Sequence, residues 1–148
     1  MKVQLDLASD ESVLETAESV IEQFLETLDW NEDEIYWFCL AIREVLINAI
    51  VHGNGRDPEK KVFLTVENNG EFVKATIIDE GKGSEIPKIP DALSPQNLLK
   101  PHGRGLYLAQ QIVNKIQMTR TQSGGLEVQL FKTMTQGGSN ENTHRRTG

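Results

Sequence analysis

The chain has 148 residues, 38% of them apolar and 25% charged, and its 15 Lys and Arg against 22 Asp and Glu leave a net charge of −7. That length suits one domain and excludes two separately cored ones. The acidic balance excludes the broad positive field that duplex nucleic acid selects, and the apolar share excludes a wholly disordered chain.

Lys2 to Leu7 alternates, with Val3, Leu5 and Leu7 on one side, and predicts a short strand. The opening turns acidic where a secretory leader would turn apolar, and no run approaches the roughly 20 apolar residues that span a bilayer, so a cytoplasmic chain with no membrane partner is expected. Ser9 and Asp10 are good helix caps, and Val13, Ala17, Val20, Ile21, Phe24, Leu25 and Leu28 follow at helical spacing, predicting a helix over about 10–28. Asn31 with Glu34 resembles a capping box and opens a second helix over about 32–52 that is apolar almost all round, as a central helix is. It stops at Gly53, Asn54 and Gly55. The lone cysteine, Cys39, reads as a small buried hydrophobe of this helix.

Val62 to Val66 and Phe72 to Ile78 alternate around Asn68, Asn69 and Gly70, which predicts a hairpin with an Asn-Gly turn. Residues 81–103 read as a long loop, Leu106 to Ile116 as a helix, and Lys115 to Gln122 with Leu126 to Thr133 as a last hairpin around Gly124 and Gly125. One domain over 1–134 and a polar tail over 135–148 are expected. The order is that of an α/β two-layer sandwich, a mainly antiparallel mixed sheet covered by helices on one face.

Three features do not fit a plain core. Glu44, Asn48 and His52 are four residues apart and share one side of the central helix. Either that side faces solvent with Arg43 screening it, or it faces a ligand; burying an unpaired carboxylate costs several kcal/mol or shifts its pKa. Asp79-Glu80-Gly81-Lys82-Gly83 ends a strand in a carboxylate followed by glycines two apart, which is either a simple turn or a wall that lets backbone approach a ligand. Gly103-Arg104-Gly105-Leu106 opens the last helix, either as a hinge or as a phosphate-binding helix N-terminus with a cation between the glycines. No P-loop, dinucleotide fingerprint or protein-kinase signature is present, and His52, His102 and His144 do not join Cys39 at any zinc-ligand spacing.

Taken in order, EVLINAIVHGN (Glu44 to Asn54), DEGKG (Asp79 to Gly83) and GRGLYL (Gly103 to Leu108) resemble the N, G1 and G2 boxes of the GHKL superfamily of ATPases. Size and the Pro95-Gln96-Asn97-Leu98-Leu99 segment, similar to a short ATP lid, look most like its anti-sigma-factor serine kinases. The resemblance covers about residues 5–132 and implies a Bergerat-type ATP-binding fold with ATP and Mg²⁺ as cofactors. It implies Asn48 as the Mg²⁺ ligand and Glu44 as general base. Asp79 would accept from the adenine amino group, with Gly81 and Gly83 letting the base approach. Gly103, Gly105 and the Leu106 turn would cradle phosphates, Arg104 would stabilise the γ-phosphoryl charge, and His52 and Lys82 would be neighbours. The partners it implies are an anti-sigma-factor antagonist, phosphorylated on serine, a sigma factor, and a second copy of the chain. A non-catalytic nucleotide-dependent binding module and a sibling kinase of a stress-signalling assembly are the alternative functions. A histidine-kinase catalytic half is set aside because no His precedes Glu44 to act as phosphoacceptor.

Overall fold

A computed structural model of the chain describes residues 1–83, 86 and 104–133. The elements are β1 (Lys2–Ala8), a 3₁₀ turn (Glu11–Val13), α1 (Leu14–Glu26), α2 (Glu32–Ile47) running into a π turn (Asn48–Gly53), β2 (Lys61–Asn68) and β3 (Phe72–Ile78), then α3 (Arg104–Ile112), β4 (Lys115–Arg120) and β5 (Leu126–Thr133). The five strands form one sheet in the order β1-β2-β3-β5-β4. All four pairings among the described residues are antiparallel, and the expected two-layer sandwich is present.

Alternation decides which face of the sheet the helices cover. Val62, Leu64 and Val66 on β2, Val73, Ala75 and Ile77 on β3, and Val128 and Leu130 on β5 all point one way and are buried. Over them lies α2, packed on α1 at one side and α3 at the other and resting on β3 and β5. Phe38, Ala41, Ile42, Val45, Leu46 and Ile50 are almost wholly enclosed, which is why the sequence of α2 is apolar on nearly every side. The run Glu32–Gly53 is long and apolar enough, by length and composition, to cross a membrane; here it is the core helix of a sandwich.

Two helix ends differ from the sequence reading. Asn31 Oδ1 accepts from the N–H groups of Asp33 and Glu34 at 2.9 and 3.3 Å, so the cap forms. Glu34 does not return the bond: its Oε1 is buried with no hydrogen-bond partner among the described residues. The last helix ends at Ile112, and Ile116, expected on its inner face, instead pairs with Leu130 in the sheet. The cause is Asn114. Its N–H donates to the Phe131 carbonyl at 2.8 Å and its Oδ1 accepts from Thr133 N–H at 2.6 Å, which fastens the chain to β5 and leaves the helix no room to continue.

A groove of about 730 Å³ runs between α1 and α2, where Glu18, Glu22, Glu26, Glu32 and Asp33 face one another and Arg43 pairs with Glu18 at 2.6 Å. Cys39 lines it and is half-buried rather than enclosed. Burial, then the charges of Glu22, Glu18 and Glu26, push its thiol up to about 12. An ordinary thiol titrates near 8.5, so at pH 8.5 Cys39 holds about a thousandfold less thiolate than free cysteine. Iodoacetamide alkylation at that pH, followed by intact mass, is expected to run at least about 100-fold slower than for free cysteine in the same buffer. Equal rates would show that the groove opens in solution.

Candidate nucleotide site

The site begins where α2 changes pitch. From Asn48 to Gly53 the chain runs as a π turn, and Asn54 N–H closes it on the Ala49 carbonyl at 2.8 Å. Such turns are rare overall and frequent at functional sites. The turn carries the chain out through Gly55 and Arg56, both in the left-handed region at φ of 59° and 56°. Arg56 is held there by its N–H bond to Ile50 O at 2.8 Å and by an exposed ion pair with Glu11. Glu44 and Asn48 are half-buried and His52, inside the π turn, is exposed. The screening alternative for Glu44 is not realised: Arg43 reaches across to Glu18 on α1.

One end of this run meets the strand that precedes the glycine segment. Asp79 is only 5% exposed. Its N–H donates to Leu126 O at 3.0 Å, extending the β3–β5 ladder by one step. Its Oδ1 accepts from Gly81 N–H at 2.9 Å and from Leu126 N–H at 3.0 Å. Among the described residues none donates to Oδ2, which faces Gly53 so closely that a Cβ there would overlap it. A Cβ on Gly81 would stand 2.6 Å from the Gly53 carbonyl oxygen, and one on Gly125 would run into the Asp79 carbonyl. Glycines 53, 81 and 125 are thus fixed by contact, not by flexibility. Gly83, at φ of 77°, lies against Gly124, whose carbonyl accepts from Arg120 at 3.1 Å. Lys82 is exposed.

The other end of the run meets α3. A Cβ on Gly105 would lie 2.5 Å from Glu44 Oε1 and 3.5 Å from its Cδ, so the first turn of α3 backs directly onto this carboxylate. Leu106 is buried in the core, which leaves its backbone rather than its side chain for a ligand. Gly103, the side chain of Arg104, the 95–99 segment and the tail from 134 onward lie outside the described residues.

Of the residues singled out in the sequence, Asp79 with Gly81 and Glu44 with Gly105 are therefore brought into contact, and Asn48 sits on the helix between the two contacts. Gly53, Asn54, Gly125 and Leu126 belong to the same corner and were not foreseen. Their signal was present, in HGNG and in Gly124-Gly125, but both segments also read as plain chain reversals.

The chain belongs to the histidine kinase-like ATPase domain family, whose pattern matches residues 7–132. Among curated proteins it is similar to the anti-sigma F factor of Anoxybacillus flavithermus, 29% identical over 123 residues that cover 80% of this chain and 83% of that one. The anti-sigma F factor of Bacillus subtilis is 27% identical over the same shares. A Mycobacterium tuberculosis structure of RsbU and RsbW domains superposes with a TM-score of 0.70 at 19% identity; it covers 93% of this chain, which spans 33% of that longer one. At that identity the likeness speaks for the fold.

Proposed function

We propose that the chain is an ATP-dependent protein serine kinase of the anti-sigma-factor type, acting in the cytoplasm, that phosphorylates a small antagonist protein and holds a sigma factor. The observation that carries the reading is the single helical run from Glu44 to Gly53, which touches α3 at one end and Asp79 at the other. In this reading the nucleotide lies between those contacts. The glycines lining both ends stand where any Cβ would intrude, and one oxygen of a buried carboxylate takes no bond from the described residues.

In this reading Asp79 Oδ2 accepts from the exocyclic amine of adenine, with Gly53, Gly81 and Gly83 giving the base room. Gly103, Arg104, Gly105 and the backbone of Leu106 face the phosphates at the start of α3, where free N–H groups favour anions. Among the described residues no three His, Cys, Asp or Glu converge as metal ligands. Asn48 would hold a Mg²⁺ through its amide oxygen, a hard ligand, and the ion would supply charge neutralisation on the phosphates. Glu44 takes the proton of the substrate serine as its oxygen bonds to the γ-phosphorus. The bond from that phosphorus to the bridging oxygen breaks, and ADP leaves with the electron pair. The phosphoserine brings close to two negative charges into the antagonist's interface, which releases it. A homodimer is supported by β1, which has no second strand neighbour among the described residues, as edge strands offer backbone groups for pairing.

The test is to mix the chain with Mg²⁺, γ-labelled ATP and a purified candidate anti-sigma-factor antagonist. One labelled serine is the expected result. Saturable ATP binding with no phosphoprotein and no ADP over hours would instead make this a nucleotide-dependent binding module.

A further inference from the structure

Asn54 is 3% exposed, and with Ser9 and Asp79 it makes up the buried polar residues of the described chain. Its Oδ1 accepts from Glu80 N–H at 2.7 Å. Its Nδ2 donates to Ser9 Oγ at 2.9 Å and to Lys61 O at 3.0 Å, and Ser9 Oγ in turn donates to Lys60 O at 2.5 Å. Its own N–H closes the π turn on Ala49. All the hydrogen-bonding groups of this side-chain amide but one lone pair are spent, on three separate pieces of chain: Ser9 just after β1, the start of β2, and the residue after Asp79; the backbone N–H adds a fourth, the turn that carries Asn48. Satisfied buried networks of this kind hold one geometry.

What the network fixes is the peptide after Asp79. Glu80 N–H is held by Asn54, and Glu80 Oε1 accepts from Lys61 N–H at 2.7 Å, so the chain at this point is tied to Asn54 by its backbone and to β2 by its side chain. Asp79 Oδ1 is meanwhile held by Gly81 and Leu126. The carboxylate plane can then rotate little, and Oδ2 is left facing the Gly53 backbone.

We infer that Asn54 is a positioning residue for base selectivity: it aims Asp79 Oδ2 at an exocyclic amine and so makes the site prefer a 6-amino over a 6-oxo purine. The inference rests on the nucleotide reading above and adds a specificity determinant to it. Loss of Asn54 removes the anchor of Glu80 N–H, the peptide swings, and the carboxylate no longer meets the amine at a fixed distance.

The test compares dissociation constants of Mg·ATP and Mg·ITP, which differ at the C6 substituent, for the wild-type chain and Asn54→Ala. Wild type is expected to favour ATP by at least about tenfold, the scale of one hydrogen bond to a charged acceptor. Asn54→Ala is expected to shrink that ratio about fivefold or more, chiefly by weakening ATP. A lower melting temperature is expected whether Asn54 positions or merely supports, so it decides nothing. If Asn54→Ala does not fold, Asn54→Ser keeps a polar group in the cavity yet is too short to reach Glu80 N–H, and the same collapse of the ratio is expected. A ratio unchanged in a variant that binds, or both nucleotides weakened in parallel, overturns the inference and leaves the nucleotide reading standing. A wild-type chain that binds neither nucleotide, or both equally, overturns the reading itself.

Discussion

Glu44→Gln is expected to slow phosphoryl transfer to the antagonist serine by about a thousandfold, within the span general-base removal commonly costs, while the Mg·ATP dissociation constant stays within about threefold. The amide has the shape of the carboxylate and keeps the packing of Glu44 against Gly105, where a methyl group would already be 2.5 Å from Oε1. It cannot accept the serine proton. Transfer and binding should therefore separate: single-turnover labelling reads the first, a nucleotide titration the second. A variant that still transfers within tenfold of wild type removes Glu44 from the chemistry. One that loses ATP affinity in proportion makes it a binding residue. The location favours the first role over the second, because Glu44 lies a full helical turn before Asn48 and at the far end of the run from Asp79.

The layout of the fold was open to sequence reasoning wherever a face is buried on one side only. The 2-residue period of Val62 to Val66 and Phe72 to Ile78 reports a sheet with one covered face, and that is the face α2 rests on. The largely apolar sequence of α2 reports a helix packed between α1, α3 and the sheet. What escaped depends on partners distant in sequence. Nothing local says that Asn114 is bonded to β5 and ends α3 four residues short of Ile116, or that Glu34 leaves its half of the capping box unmade. A π turn leaves no periodic trace in so short a segment, so HGNG read as a helix stop. In fact Gly53 lies against Asp79, and Asn54 ties Glu80 to β1 and β2. Of the candidate site, the residues that the structure brings into contact, Glu44 with Gly105 and Asp79 with Gly81, could be picked out in the sequence. The site was not legible in its supports, because Asn54 and Leu126 act through contacts made 26 and 47 residues away, with Glu80 and Asp79 respectively.

Those supports sharpen what should follow from changing Asp79 itself. Asp79→Asn is expected to weaken Mg·ATP by about 10- to 100-fold, the scale of losing a hydrogen bond to a charged acceptor and facing donor with donor. The reason lies in how the two oxygens divide their work. Oδ1 holds Gly81 and Leu126 N–H groups, and an amide oxygen can continue to accept both. That requirement fixes the orientation of the new side chain, because turning it over would set an NH₂ group against two backbone donors. The amide nitrogen must then occupy the place of Oδ2, beside Gly53, and it presents hydrogens where the adenine amine presents hydrogens too. A purine with an oxygen at that position meets a donor instead, so the variant is expected to reverse preference and bind Mg·ITP more tightly than Mg·ATP. Because the backbone bonds survive, the melting temperature should fall by no more than about 5 °C, which for a domain of this size corresponds to one to two kcal/mol. Parallel titrations with the two nucleotides and a thermal melt decide the matter. Retained preference for ATP in a folded Asp79→Asn chain would place the base somewhere other than against this carboxylate, whereas reversal would fix both the position of the base and the direction in which the strand end reads it.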